Sequence, residues 1–562
     1  MASSHAPRPR RATVLLAAAA IALALLAAAC GTGNTQATDG TIRLNEENTP
    51  LEQEGNAVRG GKIVVAVPAE TNGWNPHVNQ WADAGSLVGS SFLEPLNILT
   101  ADGEPEPWLA DTITSNPEFT QWDITVKPDI VFHNGEKLDS NALKLNIESS
   151  YTSGLTSMAL GPMIDHVEET GPLTVRVFLK KPWAQYPITL AGSAKMMAPA
   201  MMAREDKGTI APIGTGPFVF QEWVQNESLR ATKFDKYWRK DANGETLPYL
   251  DEIEFRVVTD DDTKQQALQS GDVDFALTTS AFVAENLEGE YNVLKDYTSE
   301  RTFVMLNTVE GQQDATNPFT NIHARKALAY ATNRPEIAAL VGVGIQTTSN
   351  AYRPDSKWGI PEDQSRYYTF DVEQAKQEVE RYKQDTGASS LSFTLSGLTG
   401  VEDARLMQAL QQQWSEAGIE ARIEGIEQVK YISTLIIGNY QAAWMRYYGS
   451  PSPDSNFALH HSDNALGPGK LNINFTEYHS PQLDANLEAS RATDVFAEQK
   501  KANDAVVKEL NEQAVNIWLF DTPYAIITHP EVKGLNDFRT HPFGNFTSKP
   551  WWGEVWMDPE AS

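Results

Sequence analysis

Hydrophobic and polar positions divide the chain into three regimes. A polar start carrying Arg8, Arg10 and Arg11 gives way to an uncharged, Ala- and Leu-rich run, Ala12–Ala29, that ends at Cys30. Residues 31–59 are rich in Gly, Thr, Asn, Gln and Glu with few apolar positions, and read as a flexible tether. Regular patterning begins at Gly60-Gly61-Lys62 with the strand Ile63-Val64-Val65-Ala66-Val67. Beyond it, stretches of period two alternate with stretches of helical period. Trp122–Val126 and Leu250–Val258 alternate as strands. Asp371 is placed as an N-cap for a helix that lines up Ala375, Val379 and Tyr382 and stops near Gly387. A helix from about Glu402 spaces Leu406, Leu410 and Trp414, stops at Gly418 and feeds the strand Ile419–Ile423. A third helix, Lys501–Val515, precedes one strand-like run, Trp518–Ile527. Interleaving of this kind predicts an α/β protein, with the Leu and Trp stripes as core. No repeat of solenoid length is present, and no second apolar run is long enough to cross a membrane.

Size and charge narrow the class. At 562 residues the chain exceeds what one hydrophobic core usually supports, so at least two lobes are expected. A formal charge of −29, with no basic run after Cys30, argues against nucleic acid as a partner. The single cysteine excludes an intramolecular disulfide and any metal site built from several thiolates. Its position is informative: a basic start, an apolar run and small residues before a boundary mark a secretion signal. Leu26-Ala27-Ala28-Ala29-Cys30-Gly31 resembles a bacterial lipobox, with Ala27 where Leu is usual. That resemblance implies lipidation of the Cys30 thiol and removal of residues 1–29. An uncleaved anchor is the alternative, since about 18 apolar residues just span a bilayer. Either way the globular part lies outside the cytoplasm.

Catalytic signatures are mostly absent. There is no His-Glu-x-x-His, no Gly-x-Ser-x-Gly and no nucleophilic Cys. Gly467-Pro468-Gly469-Lys470 is followed by Leu471 where a phosphate loop needs Ser or Thr, so it reads as a turn. His460, His461 and Asp463 read as a solvated loop rather than a metal site. No enzyme activity, metal or cofactor is expected.

A set of short motifs, in order, resembles the large bacterial extracellular solute-binding proteins of the peptide/nickel class, the receptors of ABC importers. They are Gly60–Ala66 with Trp74-Asn75-Pro76, Phe92-Leu93-Glu94-Pro95-Leu96, Glu106-Pro107-Trp108-Leu109-Ala110 and Phe132-His133-Asn134-Gly135. Gly214-Thr215-Gly216-Pro217-Phe218, Phe234-Asp235-Lys236-Tyr237-Trp238, Gly271-Asp272-Val273-Asp274 and Asn317–Arg334 continue the series. The motif residues read as scaffold, with Gly214 and Gly216 supplying backbone angles that side chains forbid. The resemblance implies a two-lobed fold that closes on a ligand like a hinge, with an inserted subdomain in the first lobe. The expected division is a signal peptide over 1–29, a lipidated tether over 30–59, a first lobe from 60–104, 213–299 and 516–562, the insert over 105–212, and a second lobe over 300–515. The expected partners are an ABC permease, the membrane through the lipid, and a peptide or peptide-like solute bound by a monomer. A sensing or scaffolding lipoprotein, or one that binds a metal chelate, glycoside, haem-like or anionic solute, is the alternative.

Peptide-binding members hold the peptide's ammonium with the Asp of a Trp-x-x-Asp segment. Here the segment is Trp444-Met445-Arg446-Tyr447, so a neutral phenol stands in the acid's place and Arg446 beside it favours an anion. Trp444, Arg446, Tyr447, Tyr448 and Asp454 are the second-lobe site candidates, Asp454 as a substitute acid. Glu70, Thr71, Asn72 and Trp74, after the first strand, are the first-lobe candidates.

Overall fold

A computed structural model describes residues 56–535 and 551–560, except 80, 82, 101–102, 155, 193–194, 297–299, 310–316, 343 and 449–451. Cys30, the signal run and most of the tether lie outside the described residues. Among the described residues two large sheets carry the fold. The first has seven strands, in the order Asn292–Asp296, Tyr524–Thr528, Phe275–Thr278, Lys62–Val67, Glu252–Val257, Ser228–Lys233 and Phe218–Val224. Its central strand, Lys62–Val67, runs parallel to both neighbours. The second has five, in the order Ile419–Ile426, Leu391–Leu398, Ala442–Tyr448, Glu300–Leu306 and Asn516–Asp521. A separate antiparallel sheet of Ala110–Ser115, Gln121–Val126, Thr174–Leu179 and Ile164–Glu169 stands beside the first, backed by the helix Ser140–Thr152.

Local signals built the helices as chemistry dictates. Asp371 accepts from Gln374 N, and Gly387 ends the Val372–Thr386 helix at φ 72. Ala375, Val379 and Tyr382 are buried on its inner face. Leu406, Leu410 and Trp414 are buried on the Val401–Glu416 helix, which packs on the Ile419–Ile426 strand.

Four expectations need correction. The run Trp518–Ile527 is two strands in different sheets, Asn516–Asp521 and Tyr524–Thr528, broken at Thr522-Pro523 where proline has no N–H for a ladder. The second lobe's sheet therefore extends past residue 515, to Asp521, which pairs with Arg301. The third helix is Phe496–Glu512, set back toward the N-terminus of the expected span. Gly214 and Gly216 are not at positive φ. They are small because the backbone of Phe92 passes them: a Cβ on Gly214 would stand 1.9 Å from Phe92 O.

Residues of three of the motifs converge on one buried carboxylate. Glu94, with no exposure, accepts from Trp108 Nε1 at 2.9 Å, Tyr237 OH at 2.5 Å and Trp238 Nε1 at 3.1 Å. Burial raises its pKa against the lowering effect of those donors. Arg239 lies 4.2 Å over the rings of both Trp108 and Trp551, which ties in the C-terminal segment. His133 closes the neighbouring glycine loop: Gly214 N donates to Nδ1 at 3.3 Å and Nε2 meets Gly216 O at 2.9 Å. Nδ1 as acceptor makes Nε2 the protonated nitrogen, and burial lowers the ring's pKa to about 4, so it stays neutral.

Glu94→Gln should destabilise the protein by about 2 kcal/mol or more, because an amide N–H₂ then faces a buried donor. Chemical denaturation measures this, and an unchanged midpoint with an unchanged slope would show that the donors find other acceptors.

Candidate functional site

The chain passes between the two large sheets twice, from Asp296 to Glu300 and from Asp521 to Tyr524. Residues that flank the first passage meet the second. Thr522 N donates to Glu300 O at 3.0 Å, the Thr302 and Thr522 hydroxyls are 2.7 Å apart, and Arg301 pairs with Asp521 at 3.2 Å. Strand direction then decides which edges meet at the passages. On the first sheet these are the carboxyl ends of Lys62–Val67, Glu252–Val257 and Phe275–Thr278. On the second they are the carboxyl ends of Leu391–Leu398 and Ala442–Tyr448 and the start of Glu300–Leu306. Carboxyl ends of strands are where open α/β sheets bind ligands.

On the first edge, Glu70, Thr71 and Trp74 line a cavity of about 20 Å³ together with Trp223, Ser228, Phe255 and Val257. Glu70 is held by the fold: Oε1 accepts from Trp223 Nε1 at 2.6 Å and Oε2 from Asn226 N at 2.8 Å. Thr71 is buried and its hydroxyl donates to Gly73 O at 3.1 Å, while Asn72 is exposed and does not line the cavity. Trp74 is a core residue, edge-on to Trp81, Phe92 and Trp223, and its Nε1 has no acceptor among the described residues.

On the second edge, Arg446 is 29% exposed, and its guanidinium stands 3.8 Å from the buried Glu300 carboxylate. Trp444 faces the same way but inward. It is buried against Phe520, and its Nε1 donates to Asp403 Oδ1 at 3.0 Å, so it supports the lobe rather than walling a cleft. Burial raises the pKa of Asp403, while the charge of Arg446 and the indole of Trp444 oppose this. The Tyr447 and Tyr448 side chains lie outside the described residues; their backbones pair with Arg301 and Glu300. Arg353 adds a further cation, its Nη1 3.8 Å from Asp521 and its Nε and Nη2 each donating to Asp355 at 3.0 Å.

Asp454 does not join this group. Arg491 donates to both of its oxygens, at 2.8 and 3.0 Å, and Trp183 Nε1 donates to Oδ1 at 2.8 Å. A carboxylate so engaged and so buried is closed to a ligand amine. His460 and His461 are also buried rather than solvated. His461 stacks on Phe457, desolvation lowers the His460 pKa to about 4, and no metal-ligating group of three is present among the described residues. Sequence reasoning missed Glu300, Asp403, Trp223 and Arg491, none of which stands in a motif; each acts on a residue far away in the chain.

A buried indole N–H needs an acceptor, and the cavity that Trp74 lines has room for one water with Thr71 and Ser228 as further partners. A crystal structure should show an ordered oxygen within hydrogen-bond distance of Trp74 Nε1. An empty cavity would mean that the indole is left unsatisfied.

The comparisons agree with this architecture. A sequence model of the bacterial extracellular solute-binding proteins, family 5 middle, matches residues 104–466. Glutathione-binding protein GsiB of Salmonella typhi is 25% identical over 472 residues, covering 81% of this chain and 88% of its own. The Escherichia coli K12 protein of that name is 26% identical over 372 residues, covering 65% and 69%. The oligopeptide-binding protein AppA of Bacillus subtilis, solved with a nonapeptide, superposes with a TM-score of 0.75 over 89% of this chain and 100% of its own, at 19% identity. AgaA of A. tumefaciens R10, solved with agropinic acid, gives 0.76 over 89% and 99%, at 22% identity. These matches show a two-lobed periplasmic-binding-protein fold, and the relatives are binding proteins of ABC transporters rather than enzymes. The chain belongs to the bacterial extracellular solute-binding proteins of family 5.

Proposed function

We propose that this protein is a lipid-anchored receptor that captures a peptide or peptide-like solute between its lobes and delivers it to an ABC permease. The carrying observation is the pair of facing strand ends beside the two chain passages, with Arg446 partly exposed on one of them. Relatives named for glutathione and a structural neighbour holding a nonapeptide support a peptide-like solute; AgaA, holding agropinic acid, supports an anionic one.

The solute's charge follows from what is already engaged. Both acids of the candidate set, Glu70 and Asp454, are held by partners inside the fold. Among the charged second-lobe candidates Arg446 is the partly exposed one, with Glu300 beside it, and a guanidinium suits a carboxylate. The solute therefore carries a carboxylate handle, and its amine is secondary. Membrane attachment rests on Cys30 and the apolar run before it.

Two measurements test the reading. Cys30→Ser should release the protein from membranes or leave the precursor uncleaved; fractionation and mobility identical to wild type would remove the anchor. Calorimetry with reduced glutathione and trialanine, each with free and acetylated amine, should show acetylation changing affinity by less than about threefold. Arg446→Gln should weaken binding by about tenfold or more, and scattering should show compaction at saturation. Loss of binding on acetylation would assign the amine to an acid and overturn the carboxylate reading.

A further inference from the structure

A third connection joins the lobes, and it is not covalent. The segment after the strand Thr174–Leu179 of the four-stranded subdomain presents Lys181, Trp183, Ala184 and Gln185 to the second lobe. Asp454, Phe457 and Arg491 form a socket there. The Arg491 guanidinium lies between two rings, 4.0 Å from Trp183 and 3.8 Å from Phe457. Trp183 Nε1 donates to the same Asp454 oxygen that receives Arg491 Nε. Ala184 N donates to Arg491 O at 2.7 Å, Gln185 Nε2 to Ser490 O at 3.1 Å, and Lys181 pairs with Glu488 at 2.6 Å. Trp183 is 1% exposed and Arg491 4%, so this joint is packed like a core.

We infer that Trp183 is the bolt of a latch that holds the two lobes together through contacts made by protein groups alone. Asp454 and Arg491 both fall in the span assigned to the second lobe from sequence, so on that division their pair survives parting of the lobes and keeps the socket formed. Parting removes the indole, both backbone-directed hydrogen bonds and the Lys181–Glu488 pair together. Packed joints of this kind are made or broken as a unit, not stretched. The latch thus adds a ligand-independent bias toward the closed form, and solute exchange has to release it. Asp454 then has a part in capture without touching the solute. The inference rests on the reading that solute exchange needs the lobes to part, and its test uses no solute, so the two can fail separately.

Hydrogen exchange of the Ala184 amide reads the latch directly, because its acceptor lies across the joint. In the wild-type chain without solute this amide should be protected. Trp183→Phe keeps a ring but removes the donor to a buried charge, and should speed its exchange at least about tenfold. Lys181→Glu alters only the exposed rim and should speed it about threefold, with recovery in the charge-swapped pair Lys181→Glu/Glu488→Lys. The Leu179 amide, bonded to Thr120 O within the subdomain, should keep its rate. Trp183→Phe should also raise the radius of gyration without solute. An unprotected Ala184 amide in the wild type, or rates that neither variant changes, overturns the latch.

Discussion

A carboxylate cut off from water organises the first lobe. Desolvation of Glu94 is costly, and it is offset only if its donors arrive together. Those donors come from well-separated segments: Trp108 at the entry to the four-stranded subdomain, and Tyr237 and Trp238 beyond the glycine loop. Arg239 then holds Trp551 against Trp108, so the end of the chain is fastened to the same point. A fold built this way cannot lose one motif and keep the others in place. That is why short signatures scattered along the chain behave as one set.

The second lobe uses charge differently. Arg301 and Asp521 pair where the chain passes between the sheets, with Arg446 against Glu300 and Arg353 against Asp521 beside them. Burying so many charges is tolerable only with opposite signs interleaved. The arrangement ties together the residues that flank both passages. Arg446 reaches the surface from that cluster, and its acidic neighbours hold its orientation without fully enclosing it.

Some elements were legible because their causes are local. The Val372–Thr386 helix has its cap, its apolar face and its terminating glycine within its own span. Other readings failed where the cause was distant. Trp518–Ile527 has continuous strand character, yet its halves serve different sheets, and that depends on where Glu300–Leu306 and Phe275–Thr278 already lie. Gly214 looked like a conformational glycine and is a steric one, because Phe92 crosses it. His460 and His461 sit in a polar stretch, and packing against Phe457 and neighbouring helices buries them.

By itself, the sequence determined the class: alternating periods impose an α/β fold, and the ordered motifs identify the family of extracellular binding proteins. The tertiary structure alone decided which candidate side chains the fold itself engages. Glu70 is engaged by Trp223, 153 positions away, and Asp454 by Trp183, 271 positions away. Composition and spacing report a side chain's chemistry. Its availability depends on hydrogen bonds to partners that only the folded chain brings within 3 Å, and no local pattern encodes those.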